Sequence, residues 1–149
     1  MSYDALRKGR VSLPGYGYFI TTVTDQRSPL FFDLALARIT IREMRKIHND
    51  GHLSSLAWVL MPDHLHWLIQ LGDTENLSQV VGRFKANSAR ALNRARGCNY
   101  AVWQRGYYDR ALRPNESELE TARYIVANPL RAKLVEDIGQ YPHWDAIWV

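Results

Sequence analysis

Several features are scarce in this 149-residue chain, and each absence excludes a class of protein. The single cysteine, Cys98, excludes an internal disulfide framework and favours a reducing compartment. No apolar run approaches the roughly 20 residues of a membrane span, and no segment near the N-terminus is typical of a signal peptide. We therefore expect a cytoplasmic protein. No glycine-rich phosphate-binding loop is present, so chemistry driven by ATP is not indicated.

Lysine is also scarce, whereas arginine is abundant. Among 19 basic residues only four are lysines, and the formal net charge is +4. Because the planar guanidinium group suits phosphate and stacks on bases, this bias favours a nucleic-acid partner. A basic but inert surface would have the same composition, so charge alone does not decide the matter. Apolar residues make up 46% of the chain, enough for one domain to bury a core.

The order of predicted elements is β-α-β-β-α-β-α, which indicates an α+β fold with helices packed on an antiparallel sheet. We predict strands over residues 15–24, 55–61 and 64–71 and within 100–112. The predicted helices run from a cap at Asp33 to about Asn49, over residues 77–95, and from near residues 115–117 to Asn128. One domain covers residues 1–149, and we expect a flexible arm over 1–14 and an irregular tail over 130–149.

The most informative segment is a predicted hairpin over residues 58–71 that contains two histidines one residue apart. Pro62 and Asp63 form the turn, and His64 and His66 open the second strand. Because strand side chains alternate, both imidazoles point the same way, and the other face is left to apolar residues. Two neighbouring imidazoles can hold one metal ion. The sequence therefore predicts a metal site on one face of a sheet.

The last predicted helix carries Tyr124 and Asn128 four residues apart, on the side opposite the apolar stripe. In a cleft, Tyr124 would supply a phenol nucleophile and Asn128 an oxygen ligand for the metal. Spacing alone favours the other interpretation, in which Tyr124 is an ordinary half-buried packing residue. Tyr107 and Tyr108 compete for the nucleophile's role, although at most one of two successive strand residues can face the metal.

Four blocks in this order resemble the single-tyrosine HUH transposases, and more closely the REP-associated tyrosine transposases of bacteria. The blocks are residues 58–66, Phe84-Lys85, Trp103-Gln104 with Tyr107-Tyr108-Asp109, and residues 124–129. The resemblance as a whole covers roughly residues 10–147. The resemblance implies a ferredoxin-like or RRM-like HUH palm. It also implies cytoplasmic, nucleoid-associated DNA chemistry by a monomer or homodimer.

The resemblance also implies a site and a reaction. A divalent ion, Mg²⁺ or Mn²⁺, would be held by His64, His66 and Asn128. Tyr124 would cleave single-stranded DNA beside a REP-type hairpin, forming a 5′-phosphotyrosine and freeing a 3′-hydroxyl. The 3′-hydroxyl can attack the covalent bond afterwards, so the same enzyme nicks and joins. The Tyr124 phenol needs a group that stabilises the phenolate or accepts its proton. The metal ion is the first candidate, and Asp63 and Asp109 are weaker ones.

One position departs from the family pattern. Relatives often have histidine after the aromatic pair and acid, whereas this chain has Arg110. Two alternatives therefore stay open: a hairpin-DNA-binding protein of the same fold with weakened catalysis, and an RRM-like RNA-binding module. Basic side chains that could contact DNA phosphates are Arg7, Lys8 and Arg10 in the arm, Arg83, Lys85, Arg90 and Arg94 on the second helix, and Arg110.

Overall fold

A five-stranded antiparallel sheet forms the centre of the fold. The computed structural model describes residue 13 and residues 15–149. The strands are β1 (Gly17–Val23), β2 (Leu53–Met61), β3 (His64–Leu71), β4 (Tyr108–Ala111) and β5 (Trp144–Ala146), in the spatial order β4-β1-β3-β2-β5. The helices are α1 (Leu34–Asn49), α2 (Leu77–Arg96), α3 (Glu118–Val126) and the single turn α4 (Asn128–Arg131). The expected α+β class is confirmed.

The central hairpin forms as its sequence predicts. β3 has the predicted limits, and Met61 pairs with His64 across the Pro62-Asp63 turn. Alternation along β3 places Leu65 and Trp67 in the larger core cluster, under α1 and α2. His64 and His66 consequently lie on the opposite face of the sheet. On that face Leu68 packs in the same buried cluster as residues of α3.

The two long helices on the first face begin at local sequence signals. The Asp33 carboxylate accepts hydrogen bonds from the N–H groups of Ala35 and Leu36 and begins α1. Asn76 and Gln79 form a reciprocal capping box at the start of α2. α2 begins at the predicted residue and buries one side of the helix: Leu77, Val80, Val81, Phe84, Ser88 and Leu92.

The second face of the sheet is covered by α3 and the C-terminal segment. Ala122 and Ile125 of α3 pack in one buried cluster with β2, Leu68 and Tyr141. The Tyr141 hydroxyl also donates to the Leu60 carbonyl at 2.6 Å. Apolar cores therefore occupy both faces. An RRM-like protein reads RNA on an open sheet face, so this arrangement argues against the RNA-binding alternative.

The structure differs from the sequence-based expectation at three places. The fourth strand lies within residues 100–112 as predicted, but it starts at Tyr108 and leaves Tyr107 outside. The segment before it forms a loop that Lys85 holds through hydrogen bonds to the Gln104 and Gly106 carbonyls. The last long helix ends at Val126, and Pro129 lies in the first turn of a separate short helix. Residues 130–149, expected to be irregular, contain the end of α4, a 3₁₀ turn (Ile138–Gln140) and β5, which pairs with β2. No helix in the described part of the chain is long and apolar enough to cross a bilayer.

Candidate active site

The two histidines of β3 lie side by side, and each has one ring nitrogen already engaged. Their ring centroids are 4.7 Å apart. Nδ1 of His64 is 2.6 Å from Oδ1 of Asp63, and Nδ1 of His66 is 2.8 Å from the Thr21 hydroxyl. This leaves Nε2 of each ring as the nitrogen suited to bind a metal. A carboxylate or hydroxyl behind the ring is the usual way to fix a metal-binding imidazole.

Asp63 is more than a turn residue. Partial burial acts to raise the pKa of its carboxyl, but hydrogen bonds from His64 and Arg27 outweigh this effect and lower the pKa. The Arg27 guanidinium forms an ion pair with Oδ2 at 3.0 Å, and Oδ1 contacts His64. Asp63 is therefore a charged residue that orients His64. An acid directly before the first histidine is the signal in the sequence that could have indicated this role.

His66 is held in its neutral form. Burial is the main cause that lowers its pKa, to about 3, and the charges of His64 and Arg131 contribute after it. Its ring also meets the Phe19 ring edge-on, with centroids 5.4 Å apart. An imidazole must be neutral to bind a metal ion, so the surroundings of His66 already favour the protonation state that a ligand needs.

Tyr124 projects away from the core, with 59% of its surface exposed. Its ring lies against the Arg131 guanidinium, with Cζ of Arg131 3.9 Å from the ring centroid. It also lines a groove of about 580 Å³ on the His64 and His66 side of the sheet. Other residues that line this groove include Phe19, Thr21, Tyr108, Arg110 and Glu116. Thr21 is also the hydrogen-bond partner of His66, so the groove that Tyr124 lines adjoins the imidazole pair.

Asn128 begins α4 and is half-buried. Within residue 13 and residues 15–149, no group of three or more His, Cys, Asp or Glu side chains is arranged to hold a metal ion. A third protein ligand beside the two imidazoles would therefore come from another residue type. An amide oxygen such as that of Asn128 suits the hard ions Mg²⁺ and Mn²⁺.

The two competing tyrosines are Tyr107, just before β4, and Tyr108, its first residue. They lie on opposite faces of the sheet, as strand alternation requires. Tyr107 is buried, and its hydroxyl is 3.0 Å from the Ser78 hydroxyl of α2. Tyr108 is half exposed, lines the groove and pairs with Thr21 of β1. Because β1 separates β4 from β3, Tyr108 lies two strands from His66.

Within the part of the chain that the structure describes, the predicted DNA-binding residues do not form one free basic surface. Arg83 is paired through two hydrogen bonds with Glu75, and Lys85 holds the loop before β4. Arg110 is paired with Glu116 and lies over the Phe19 ring at 6.0 Å. Arg90 and Arg94 line an open groove with Tyr100, whose exposed fraction is 72%. Arg7, Lys8 and Arg10 lie outside the described residues.

Two contributions were not predicted from the sequence. Thr21 supports His66, and Arg131 packs on Tyr124. Thr21 lies in the register pair Thr21–His66, so a correct alignment of β1 with β3 would have revealed it. Arg131 is two helical turns beyond Tyr124 and could have been found by extending the helix pattern through Pro129.

This sheet, with paired imidazoles on one face and a projecting tyrosine on the helix that covers it, has the architecture of a nuclease-type transposase. The family described as "Transposase IS200 like" matches residues 13–128, and the chain belongs to it. Its members nick and join DNA.

Two curated relatives and one solved structure are similar to this chain. A REP-associated tyrosine transposase of Escherichia coli (strain K12) is 22% identical over 130 residues, covering 86% of this chain and 74% of that protein. An uncharacterized protein of Haemophilus influenzae is 28% identical over 95 residues, covering 49% of this chain; the match spans 52% of that protein, about half its length. The fold is similar, with a TM-score of 0.74, to a REP-associated tyrosine transposase bound to a REP hairpin, at 20% identity and with 91% of this chain and 79% of that one covered.

Proposed function

We propose that this transposase-family chain is a metal-dependent endonuclease and strand transferase that acts on single-stranded DNA beside a REP-type hairpin. Tyr124 is the nucleophile in this proposal. His64, His66 and Asn128 hold the metal ion. The DNA partner follows from the relatives, one of which was solved with a REP hairpin.

One observation carries the proposal. Two imidazoles with their Nδ1 atoms occupied lie beside a groove that an exposed tyrosine also lines. A packing role explains neither the 59% exposure of Tyr124 nor its place in a groove that Thr21, the hydrogen-bond partner of His66, also lines. A nucleophile that must meet a phosphate from solution needs both properties.

In the proposed reaction the Tyr124 hydroxyl attacks phosphorus and gives up its proton. The bond to O3′ breaks, and O3′ takes up a proton to become the free 3′-hydroxyl. Asp63 and Thr21 keep the two imidazoles in place throughout, through the hydrogen bonds described above. The bound Mg²⁺ or Mn²⁺ would supply Lewis-acid activation of the scissile phosphate.

A second candidate function is hairpin binding without cleavage. Arg110 occupies the position at which relatives often have histidine, and Glu116 engages its guanidinium with both carboxylate oxygens. A guanidinium donates hydrogen bonds but cannot act as a general acid or base, as an imidazole can. If the reaction requires a titrating group there, the chain would bind DNA and not cut it.

One experiment separates these functions. A set of hairpin oligonucleotides with randomised single-stranded flanks and a 3′ label is incubated with the protein and Mn²⁺. An adduct that survives SDS and is absent in Tyr124→Phe supports the nuclease. DNA retention without any adduct supports the binding protein. An adduct of undiminished yield in Tyr124→Phe would refute the nucleophile assignment, and undiminished cleavage by His64→Ala at limiting Mn²⁺ would refute the metal role.

A further inference from the structure

Arg131 and Tyr124 contact each other across the junction of two helices. Arg131 is the last residue of α4 and lies beyond residues 13–128, the part of the chain that matches the family description. The Ala127 N–H donates to the Arg123 carbonyl, and the Arg131 N–H donates to the Ala127 carbonyl. These bonds continue the helical path through the junction, so residues two turns apart meet on one side.

The guanidinium lies directly on the ring of the proposed nucleophile. Cζ of Arg131 is 3.9 Å from the Tyr124 ring centroid, a distance typical of a cation stacked on an aromatic face. The contact therefore places a positive charge beside the phenol ring.

Arg131 is also a cation that no carboxylate neutralises. Two other arginines of this site are paired with carboxylates, Arg27 with Asp63 and Arg110 with Glu116. Among the residues that the structure describes, Arg131 forms no ion pair within 4.0 Å of a carboxylate. An exposed arginine beside a nucleophile is well suited to meet an incoming phosphate.

We propose that Arg131 is a positioning residue that holds the Tyr124 ring for attack and places positive charge beside the scissile phosphate. This inference rests on the proposed function. When the Tyr124 oxygen bonds to phosphorus and the bond to O3′ breaks, negative charge builds on the phosphoryl oxygens. A guanidinium fixed beside these oxygens stabilises the transition state, in which the negative charge has built up, more than the ground state. Stacking also restricts rotation of an exposed ring, which favours one attack geometry.

The test compares Arg131→Gln and Arg131→Lys with a matched control, Arg123→Gln. Arg123 is an exposed arginine on α3 that lines a different groove, next to Trp144 and Trp148. The substrate is the 3′-labelled hairpin oligonucleotide that the wild-type chain nicks, with protein in excess and Mn²⁺ present. The measured quantity is the rate of adduct formation in a single turnover.

We expect Arg131→Gln to slow adduct formation by about 100-fold, the usual effect of removing one group that stabilises transition-state charge. Lysine restores the charge but not the planar stack, so Arg131→Lys should recover part of the rate. Arg123→Gln should stay within about threefold of wild type. The affinity for uncleaved DNA, measured in the Tyr124→Phe background, should change by less than about fivefold when Arg131 is replaced.

Two results would overturn the inference while leaving the proposed function intact. One is an undiminished adduct rate in Arg131→Gln. The other is a loss of DNA affinity as large as the loss of rate, which would make Arg131 an ordinary DNA contact. If the wild-type chain forms no adduct with any hairpin, the proposed function fails and this inference fails with it.

A measurement without DNA checks the contact itself. In NMR spectra, protons of the Arg131 side chain that lie over the Tyr124 ring should be shifted upfield by the ring current. The shift should disappear in Tyr124→Leu and persist in Tyr108→Leu. Arg131 resonances at unshifted positions in the wild-type chain would overturn the inference, because the stack would be absent in solution.

Discussion

The 2.6 Å contact between Asp63 and His64 leads to a prediction about metal affinity that needs no DNA. Asp63→Ala removes both the hydrogen-bond acceptor and the negative charge behind the imidazole. Asp63→Asn keeps an acceptor oxygen and removes only the charge. Since supporting groups of this kind typically change metal affinity by about 10–100-fold, Asp63→Ala should weaken Mn²⁺ binding by that factor. Asp63→Asn should fall between the alanine variant and wild type.

The size of this effect follows from the structure. The Asp63 carboxylate is ionised, since its hydrogen bonds to His64 and Arg27 lower its pKa, so Asp63→Ala removes a negative charge as well as the group that orients the His64 ring. A 10–100-fold change corresponds to about 1.4–2.7 kcal/mol of binding free energy. The partial exposure of the pair, at 26% for the Asp63 side chain and 19% for His64, favours the lower end of that range.

Isothermal titration calorimetry of the DNA-free chain with Mn²⁺ measures this difference. Asp73→Asn is the matched control, because it removes the same charge from an exposed site after β3. Thermal melting of each variant separates loss of affinity from loss of fold. Wild-type affinity in Asp63→Ala would refute the reasoning, since it would mean that the orientation of His64 does not depend on its neighbour.

Three further predictions concern the scaffold. Tyr141→Phe deletes a buried hydrogen bond to the Leu60 carbonyl, and burial raises the pKa of this phenol to about 12. We expect the free energy of unfolding, measured in urea at neutral pH, to fall by about 1–2 kcal/mol. Unchanged stability would contradict this. Burial, followed by the charge of Arg38, lowers the pKa of His143 below the ordinary histidine value of 6.5. The unfolded chain therefore binds the proton more readily, and stability should fall as pH drops below about 6.5, less steeply in His143→Gln; parallel pH profiles would exclude this role. Lys85→Met should increase protease cleavage of the loop before β4, detected by mass spectrometry, because the carbonyls of Gln104 and Gly106 lose their donor; an unchanged cleavage rate would argue against the clamp.

The parts of this fold that could be predicted are those specified by local patterns. The hairpin of β2 and β3 follows from alternation around a Pro-Asp turn, and α2 follows from an apolar stripe between a capping residue and Gly97. The direction of both imidazoles also follows from alternation alone. The exposure of Tyr124 agrees with its position opposite the stripe of α3. In each case neighbours within a few residues determine the result.

The parts that could not be predicted depend on distant partners. β5 is only three residues long and exists because it pairs with β2, far back in the sequence. Arg27 reaches Asp63 across 36 residues, and Thr21 meets His66 across 45. Lys85 was a candidate for phosphate contact by composition, but its ammonium group is occupied by carbonyls of a loop about 20 residues later. Sequence patterns indicate which side chains are polar, and only tertiary pairing decides where each finds its partner.

The sheet ends on both sides in very short strands, four residues in β4 and three in β5. Long exposed edges offer free backbone groups to other chains and promote fibre-like association. Here little backbone is available on either flank, so adding a strand from another copy would gain few hydrogen bonds. Self-association through the described residues, 13 and 15–149, would therefore rely on helical or loop surfaces.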